Sequence, residues 1–416
     1  MRRAAESRRA FRHFSRAGIF FQGGAAAVDP NTVVPALVHG LTDSALAVGA
    51  AAGIVRFGWL FPQLFVAYYA QRRARRLPFY MLGAFGRVAC LAGVALLVWL
   101  ASPGAFMVVS FFVLWTAYSF VSGIVAVPYN DIVARSIPSG ERSRMLALRF
   151  FGGGLLALAV AALAHRLLEA LSFSGGYAAL LALGAALLFA SAVFFVTAGE
   201  PAAPAEASPP GSFAAFLRQG VETVAQDRRF RLFLGAQWLS GAAAMALPFY
   251  ILQTGRSAQE VAFFLGAQTA GALLSNPLWG WWGDRSGKRE LLELTAAAGV
   301  LAPLLALARI AADGRLAAVG LPYFSVLFVL LGAVGNGSTI GYLGYLMEIS
   351  PQERRPAYSG YFNVLVAPAA LLAMAGGALV QAGSAAAVFA AAAVASVLQL
   401  LTVWRLRNAE SLAKVA

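Results

Sequence analysis

An acidic and a basic residue lie deep inside two apolar runs near the start of the chain. Asp29 comes 12 residues after Ala17, where the first run begins, and Arg56 comes 12 residues after Ser44, in the second run. In a hydrocarbon layer about 30 Å thick, a rise of about 18 Å over twelve helical residues puts both side chains near the middle. A charge there costs at least about 2.5–3.5 kcal/mol on insertion scales, so each needs a partner or a purpose.

The residues around Asp29 predict a break in its helix. Pro30 and Pro35 each remove a helical hydrogen bond, and Pro30 disfavours α geometry at Asp29 itself. With Asn31 and Thr32 they would form a polar discontinuity at mid-depth, where transporters place binding sites. The alternative is a proline kink in which Asp29 and Arg56 form a buried structural pair. We place the candidate substrate and coupling site at Asp29, Asn31, Thr32, Arg56, Tyr118, Gln268 and Asn336.

The elements that hold these residues are predicted to be membrane-spanning helices. Hydrophobic residues make up 60% of the 416 residues and the mean hydropathy is +0.72, which excludes an ordinary soluble protein. Apolar runs of about 20 residues, long enough to span a bilayer, recur along the chain. The predicted fold is all-α and integral to the membrane, with twelve spans at 17–40, 44–70, 79–101, 104–134, 145–168, 176–198, 230–252, 258–283, 290–310, 320–347, 358–381 and 384–404.

The distribution of basic residues predicts the orientation of these spans. Most of the 32 lysines and arginines fall in loops on the side that also holds both chain ends. Basic loops stay in the cytoplasm, so both termini are predicted to be cytoplasmic. The net charge of +14 then reflects topology and contact with anionic membrane lipid rather than nucleic acid. A cleaved signal peptide ending near 25–27 is the rival interpretation of the N-terminus.

The chain also contains an internal repeat with an offset of 213 residues. This offset relates Pro35 to Pro248, Pro138 to Pro351, and the basic stretch 67–76 to 280–289. Such a pattern indicates a duplicated six-helix unit, hence two pseudo-symmetric bundles. The predicted organisation is a cytoplasmic segment 1–16, a bundle 17–198, a linker 199–229 with a short amphipathic helix, a bundle 230–404 and a cytoplasmic tail 405–416.

The second basic stretch contains a recognisable loop pattern. Its residues are Gly280, Asp284, Arg285, Gly287, Lys288 and Arg289. With twelve spans and a 6+6 duplication, the chain resembles the major facilitator superfamily (MFS), whose loop signature is G-x-x-x-D-[RK]-x-G-[RK]-[RK]. The resemblance implies a transporter that works by alternating access, with this loop as a conformational latch. From the residues, Gly280 would allow two helix backbones to approach, and Asp284 would accept from the N-terminus of a neighbouring helix.

The first-half copy of the loop departs from this pattern. Gln71 replaces the aspartate, while Arg72, Arg75 and Arg76 remain basic. We expect the latch to be weaker here, with Asp131 supplying the missing carboxylate. Asp131 would pair with Arg72, Arg87 or Arg149 in a structural charge cluster.

Other classes of function find little support in the sequence. Cys90 is the only cysteine, and His13, His39 and His165 are the only histidines, so neither a metal site nor a cofactor is expected. We predict no enzymatic activity. The expected function is a secondary transporter of a small solute, coupled to protons through Asp29, in a bacterial inner membrane and monomeric. The alternative is a membrane assembly or chaperone protein that retains the fold without transport.

Overall fold

The computed structural model describes residues 2–71, 73–102, 104–201, 211–254, 257–312, 320–350 and 355–415, and their regular secondary structure is helical. The predicted positions Arg72, Pro351 and most of the linker proline stretch lie outside them. The helices are α1 (Arg2–Ala26), α2 (Val33–Thr42), α3 (Ala45–Leu60), α4 (Pro62–Gln71), α5 (Leu77–Leu100), α6 (Ala105–Ser136), α7 (Ser139–Ala170), α8 (Phe173–Ala198), α9 (Phe213–Gln226), α10 (Arg228–Ala243), α11 (Leu247–Tyr250), α12 (Ala258–Arg285), α13 (Lys288–Ala311), α14 (Gly320–Ile349), α15 (Arg355–Val366), α16 (Leu372–Gln381) and α17 (Ala385–Val415).

These helices account for the twelve predicted spans. Within the described chain, ten helical stretches are long and apolar enough to cross a membrane. The first span is divided between α1 and α2, and the eighth is α12, which gives the remaining two. The protein is therefore a multi-pass membrane protein of the all-α class.

The first compact unit comprises Met1–Thr42, Ile54–Pro209 and Ser257–Gly266. In it α1 packs against α7 and α8, and α5 packs against α6 and α8. Helix α1 begins at Arg2, well before residue 17, because its early turns pack along the end of α8. There Phe14 is fully buried and stacks on Phe195 with ring centroids 4.6 Å apart.

The second compact unit comprises Asp43–Gly53, Pro210–Arg256 and Ala267–Ala416. Here α10 and α13 pack against α17, and α13 packs against α14. A short 3₁₀ turn at Ala244–Ala246 separates α10 from α11. The offset of 213 maps this turn onto 31–33, at the start of α2, so the helix break recurs in both halves.

Each unit also contains a short segment from the other sequence half. Residues 257–266 belong to the first unit, where the Gln259 side-chain amide donates to Glu169 Oε1 at 3.3 Å. Residues 43–53 belong to the second unit, where the Ala45 N–H donates to Gln381 Oε1 at 2.9 Å. Because the offset of 213 maps 44–53 onto 257–266, the exchange itself follows the repeat.

The linker contains the predicted short helix, α9. Its Phe216 is buried against Tyr361 of α15, whose hydroxyl donates to the Phe216 carbonyl at 2.6 Å. Leu217 and Val221 on the same helix are exposed. Val224 of this helix also packs against the core of the second unit. The helix is thus attached to the second unit and leaves part of its apolar face uncovered.

Candidate functional site

The break between α1 and α2 is organised by the side chain of Asp29. Its Oδ1 accepts hydrogen bonds from the backbone N–H of Asn31, the backbone N–H of Thr32 and the Thr32 hydroxyl, each at 2.9 Å. The carboxylate therefore holds the first turn leading into α2, a role that suits a short acidic side chain beside Pro30. Thr32 is completely buried by this arrangement. The carbonyl of Ala26, at the end of α1, accepts from the Asp29 N–H at 3.3 Å.

Two other predicted residues of the first unit lie on separate helices. Arg56 is in the second half of α3, and its side chain is exposed rather than packed into the core. Tyr118 is in α6, buried and stacked on Trp115 with ring centroids 5.0 Å apart. Tyr118 is also close enough to Arg87 to interact with it electrostatically.

The predicted neutral residues of the second unit lie where α12 meets α14. The Asn336 side-chain amide donates to Asn276 Oδ1 at 2.8 Å and to the Ala272 carbonyl at 3.2 Å. The helices touch closely at this level, because a Cβ on Gly332 would collide with the Gln268 carbonyl. Asn276, which precedes Pro277 in α12, was not predicted and is the main partner of Asn336. An asparagine directly before a proline in an apolar run is the signal that would have identified it.

The predicted pairing of Asp131 with Arg87 or Arg149 is wrong. Asp131 forms an ion pair with Arg76 and accepts from Arg135 Nε at 2.7 Å. Asp131 and Arg135 are one helical turn apart on α6, and Arg76 lies directly before α5, so these groups meet at the helix ends. Arg87 lies about ten residues after the start of α5, and Arg149 about ten residues after the start of α7. Within the described chain no carboxylate pairs with either arginine.

Glu200, which sequence reasoning missed, completes the group around Asp131. It accepts from the backbone N–H groups of Arg76 and Leu77 at 2.8 and 2.9 Å and from Arg135 Nη2 at 2.6 Å. Glu200 thereby caps the N-terminus of α5, where backbone donors have no helical partner. Partial burial alone would raise the pKa of the Glu200 carboxyl, but these hydrogen bonds and the Arg135 charge bring its pKa below the ordinary value.

The loop between α12 and α13 has part of the expected geometry. Gly287 has φ +113°, a conformation that only glycine adopts easily, and it directly precedes α13. Asp284 accepts from Lys288 Nζ at 2.9 Å, and its side chain is 82% exposed. A close backbone approach at Gly280 is not observed, because a Cβ there would meet no described atom within 4 Å. The latch function of this loop stays a prediction.

The equivalent first-half loop is only partly described. Arg72 and the Gln71 side chain lie outside the described part, and Arg75 is exposed. Arg76, in contrast, is held by Asp131 through its side chain and by Glu200 through its backbone. The carboxylates that the loop sequence lacks are therefore supplied by Asp131 of α6 and by Glu200, the second residue after α8. Among the described residues no cluster of metal-binding side chains is found.

Comparison with known proteins agrees with this architecture. The family model of the Major Facilitator Superfamily matches residues 232–415. A nucleoside transporter, NupG, in a mutant form, has a similar structure with a TM-score of 0.72 and 13% identity, over 95% of this chain and 99% of that one. A D-xylose–proton symporter has a similar structure with a TM-score of 0.68 and 16% identity, over 96% of this chain and 97% of that one. A POT family transporter in complex with 5-aminolevulinic acid has a TM-score of 0.70 and 12% identity, over 96% of each chain.

No match was found among curated protein sequences. The solved structures share too little sequence to indicate more than a common fold. That fold nevertheless extends over nearly the whole chain, and the family match covers most of the second six-helix half. The second half of the chain is thus similar in sequence to the Major Facilitator Superfamily, and nearly the whole chain is similar in fold to the solved transporters.

Proposed function

We propose that the protein is a secondary transporter that moves a small solute by alternating access and couples the movement to protons through Asp29. The observation that supports this most directly is the helix break in the first unit, where a carboxylate holds a turn inside a membrane span. Discontinuous helices of this kind form the ion and solute sites of other transporters.

In the proposed cycle Arg56 binds the solute and Asp29 binds the proton. In one step the solute engages Arg56, and Asp29 takes a proton. In the next step the proton and the solute leave on the other side of the membrane, and the carboxylate is charged again. Three hydrogen bonds on Oδ1 keep the side chain in place throughout, so the charge can change without loss of position.

Alternating access also requires contacts that can open. Two hydrogen bonds join the sequence halves, each inside one compact unit and within one residue of corresponding under the repeat: Gln259 with Glu169, and Ala45 with Gln381. Both are hydrogen bonds to a single side-chain oxygen, which are easily exchanged for water. Glycine backbones pack beside the second, where a Cβ on Gly377 would lie 2.6 Å from the Ala45 carbonyl. We propose that these contacts break and re-form in each cycle.

Transport is tested in liposomes that contain the purified protein and a trapped pH-sensitive dye. The first solutes to test are a nucleoside, 5-aminolevulinic acid and D-xylose, which are named for structurally similar proteins. We expect one class of solute to drive proton movement. The Asp29→Asn variant keeps an acceptor oxygen for the turn but has no titratable group. It should lose proton movement while still exchanging solute across the membrane.

The Asp29→Glu variant is the matched control, because it retains a carboxyl group. Proton movement at the normal rate in Asp29→Asn would show that Asp29 does not couple transport. If no solute moves and the protein instead co-purifies with a membrane complex, the assembly role is favoured.

A further inference from the structure

The strongest unexplained feature of the first unit is a pair of arginines inside the membrane. Arg87 of α5 is only 2% exposed, and Arg149 of α7 is partly buried. Arg87 lies ten residues after the start of the candidate span Leu77–Leu100, and Arg149 lies five residues after the start of the candidate span Arg144–Ala170. The two groups share one neighbour, the ring of Phe21, whose centroid is 4.9 Å from the Arg87 guanidinium carbon and 5.5 Å from that of Arg149.

Within the described part of the chain, the contacts of these arginines include no counter-charge. Arg149 Nη1 donates to the Tyr129 hydroxyl at 2.7 Å, and its guanidinium lies over the Tyr129 ring at 5.1 Å. The Nε atoms of both arginines are buried and have no hydrogen-bond partner among the described residues. Neither arginine has an ion pair there, and the two guanidinium groups interact with each other as like charges.

The surrounding chain holds the pair in place. A Cβ on Gly18 would collide with the Arg149 side chain, so α1 provides a groove in which this arginine lies. Tyr80 and Tyr118 are near enough to Arg87 to interact with it electrostatically. Like-charged groups held together in an apolar, aromatic setting are typical of a site that is completed by a negatively charged ligand.

We infer that Arg87 and Arg149 form a binding site for the carboxylate or phosphate group of an organic anion. Two guanidinium groups can each donate to oxygen atoms of such a group, and Phe21 and Tyr129 offer aromatic faces to the rest of the molecule. The anion could be a solute or the headgroup of an anionic lipid. Its identification with the transported solute rests on the proposed function, whereas the binding site does not.

The test measures binding by thermal unfolding of the purified, delipidated full-length protein in detergent. Phenyl phosphate and benzoate are the probes, and benzyl alcohol at the same ionic strength is the uncharged control. We expect both anions to raise the unfolding temperature saturably and benzyl alcohol to have no such effect. Arg87→Gln and Arg149→Gln should each weaken the apparent affinity by about tenfold or more. Arg144→Gln is the matched control, because Arg144 lies on α7 with Arg149 but has an exposed side chain.

A second readout separates this role from a purely structural one. Without any anion, Arg87→Gln should raise the unfolding temperature, because it removes an uncompensated buried charge. A structural arginine would instead lower it on replacement. Measurements in nanodiscs distinguish a lipid headgroup from a solute. If phosphatidylglycerol stabilises the protein more than phosphatidylcholine does, and Arg87→Gln abolishes the difference, the anion site is supported and its ligand is a lipid.

The inference is overturned if neither the anions nor phosphatidylglycerol stabilise the protein, or if Arg87→Gln and Arg144→Gln behave alike. Because no transport is measured, these results are independent of the Asp29→Asn experiment. Failure of proton coupling would leave the anion site intact, and failure of anion binding would leave proton coupling intact.

Discussion

Replacement of Glu200 by alanine should destabilise the first unit, because this side chain joins the end of α8 to both α5 and α6. It caps α5 through the backbone of Arg76 and Leu77, and it accepts from Arg135 of α6. Loss of a helix cap costs about 1 kcal/mol, and loss of a hydrogen bond to a charged group costs about 1.5–3 kcal/mol. Arg135 keeps Asp131 as a partner, so we expect a net loss of about 2–4 kcal/mol.

The assay is unfolding of the purified protein in mixed micelles with increasing amounts of a denaturing detergent. Glu200→Gln should cost about 1–2 kcal/mol, since it keeps an acceptor oxygen but has no charge. Glu222→Gln is the control. Glu222 pairs with Arg218 on the exposed surface of α9, where an ion pair contributes less than about 1 kcal/mol.

The pH dependence provides a second check on Glu200. Its pKa is lower in the folded protein than the ordinary value of 4.5. Its stabilising contribution is therefore complete above the ordinary value and is lost as the pH falls through the lowered folded pKa. The difference in stability between the natural protein and Glu200→Gln should shrink over that acidic range. If Glu200→Ala is as stable as Glu222→Gln, the capping account of α5 is refuted.

Three further substitutions test local geometry by the same unfolding assay. Gly18→Ala forces a methyl group against Arg149 and should cost about 1–3 kcal/mol; a neutral effect would show that Arg149 can move aside. Gly287→Ala places a side chain at φ +113°, 2.6 Å from Glu290 Oε2, and should cost about 1–3 kcal/mol; unchanged stability would contradict the glycine requirement. Asn336→Ala leaves Asn276 without this partner between two helices and should cost about 1–2 kcal/mol; stability equal to that of the natural protein would show that the bond is dispensable.

Much of the fold could be predicted because its signals are local or periodic. The break after Ala26 follows from Pro30, whose missing N–H and effect on the preceding residue are properties of the backbone. The duplication follows from proline and arginine landmarks at one spacing. The segments 44–53 and 257–266, each of which belongs to the compact unit of the other sequence half, are related by the same spacing, which the sequence did not indicate.

Partner choice among charged side chains was harder to predict, because it depends on how loops return to the helices. The sequence offered Arg87 as one of three partners for Asp131, yet the ion pair forms with Arg76, which stands at the helix end. Glu200 is 124 residues from Arg76, and nothing local to it indicates a cap on α5. Gly280 matched a family pattern, whereas the tight contact between α12 and α14 occurs at Gly332.

The central claim, that the charge of Asp29 controls which side of the membrane is open, can be measured without knowing the solute. Cys90 is the only cysteine, so Cys90→Ala provides a background for single cysteines. Ser44→Cys reports on the contact with Gln381, and Arg218→Cys, at a side chain that is 83% exposed, corrects for the intrinsic reactivity of the thiol.

The measurement is the rate at which a membrane-impermeant maleimide labels Ser44→Cys, relative to Arg218→Cys, as a function of pH. Our account predicts that the relative rate changes with pH when Asp29 is present and becomes independent of pH in Asp29→Asn. A relative rate that does not respond to pH, or that responds equally in Asp29→Asn, would contradict it.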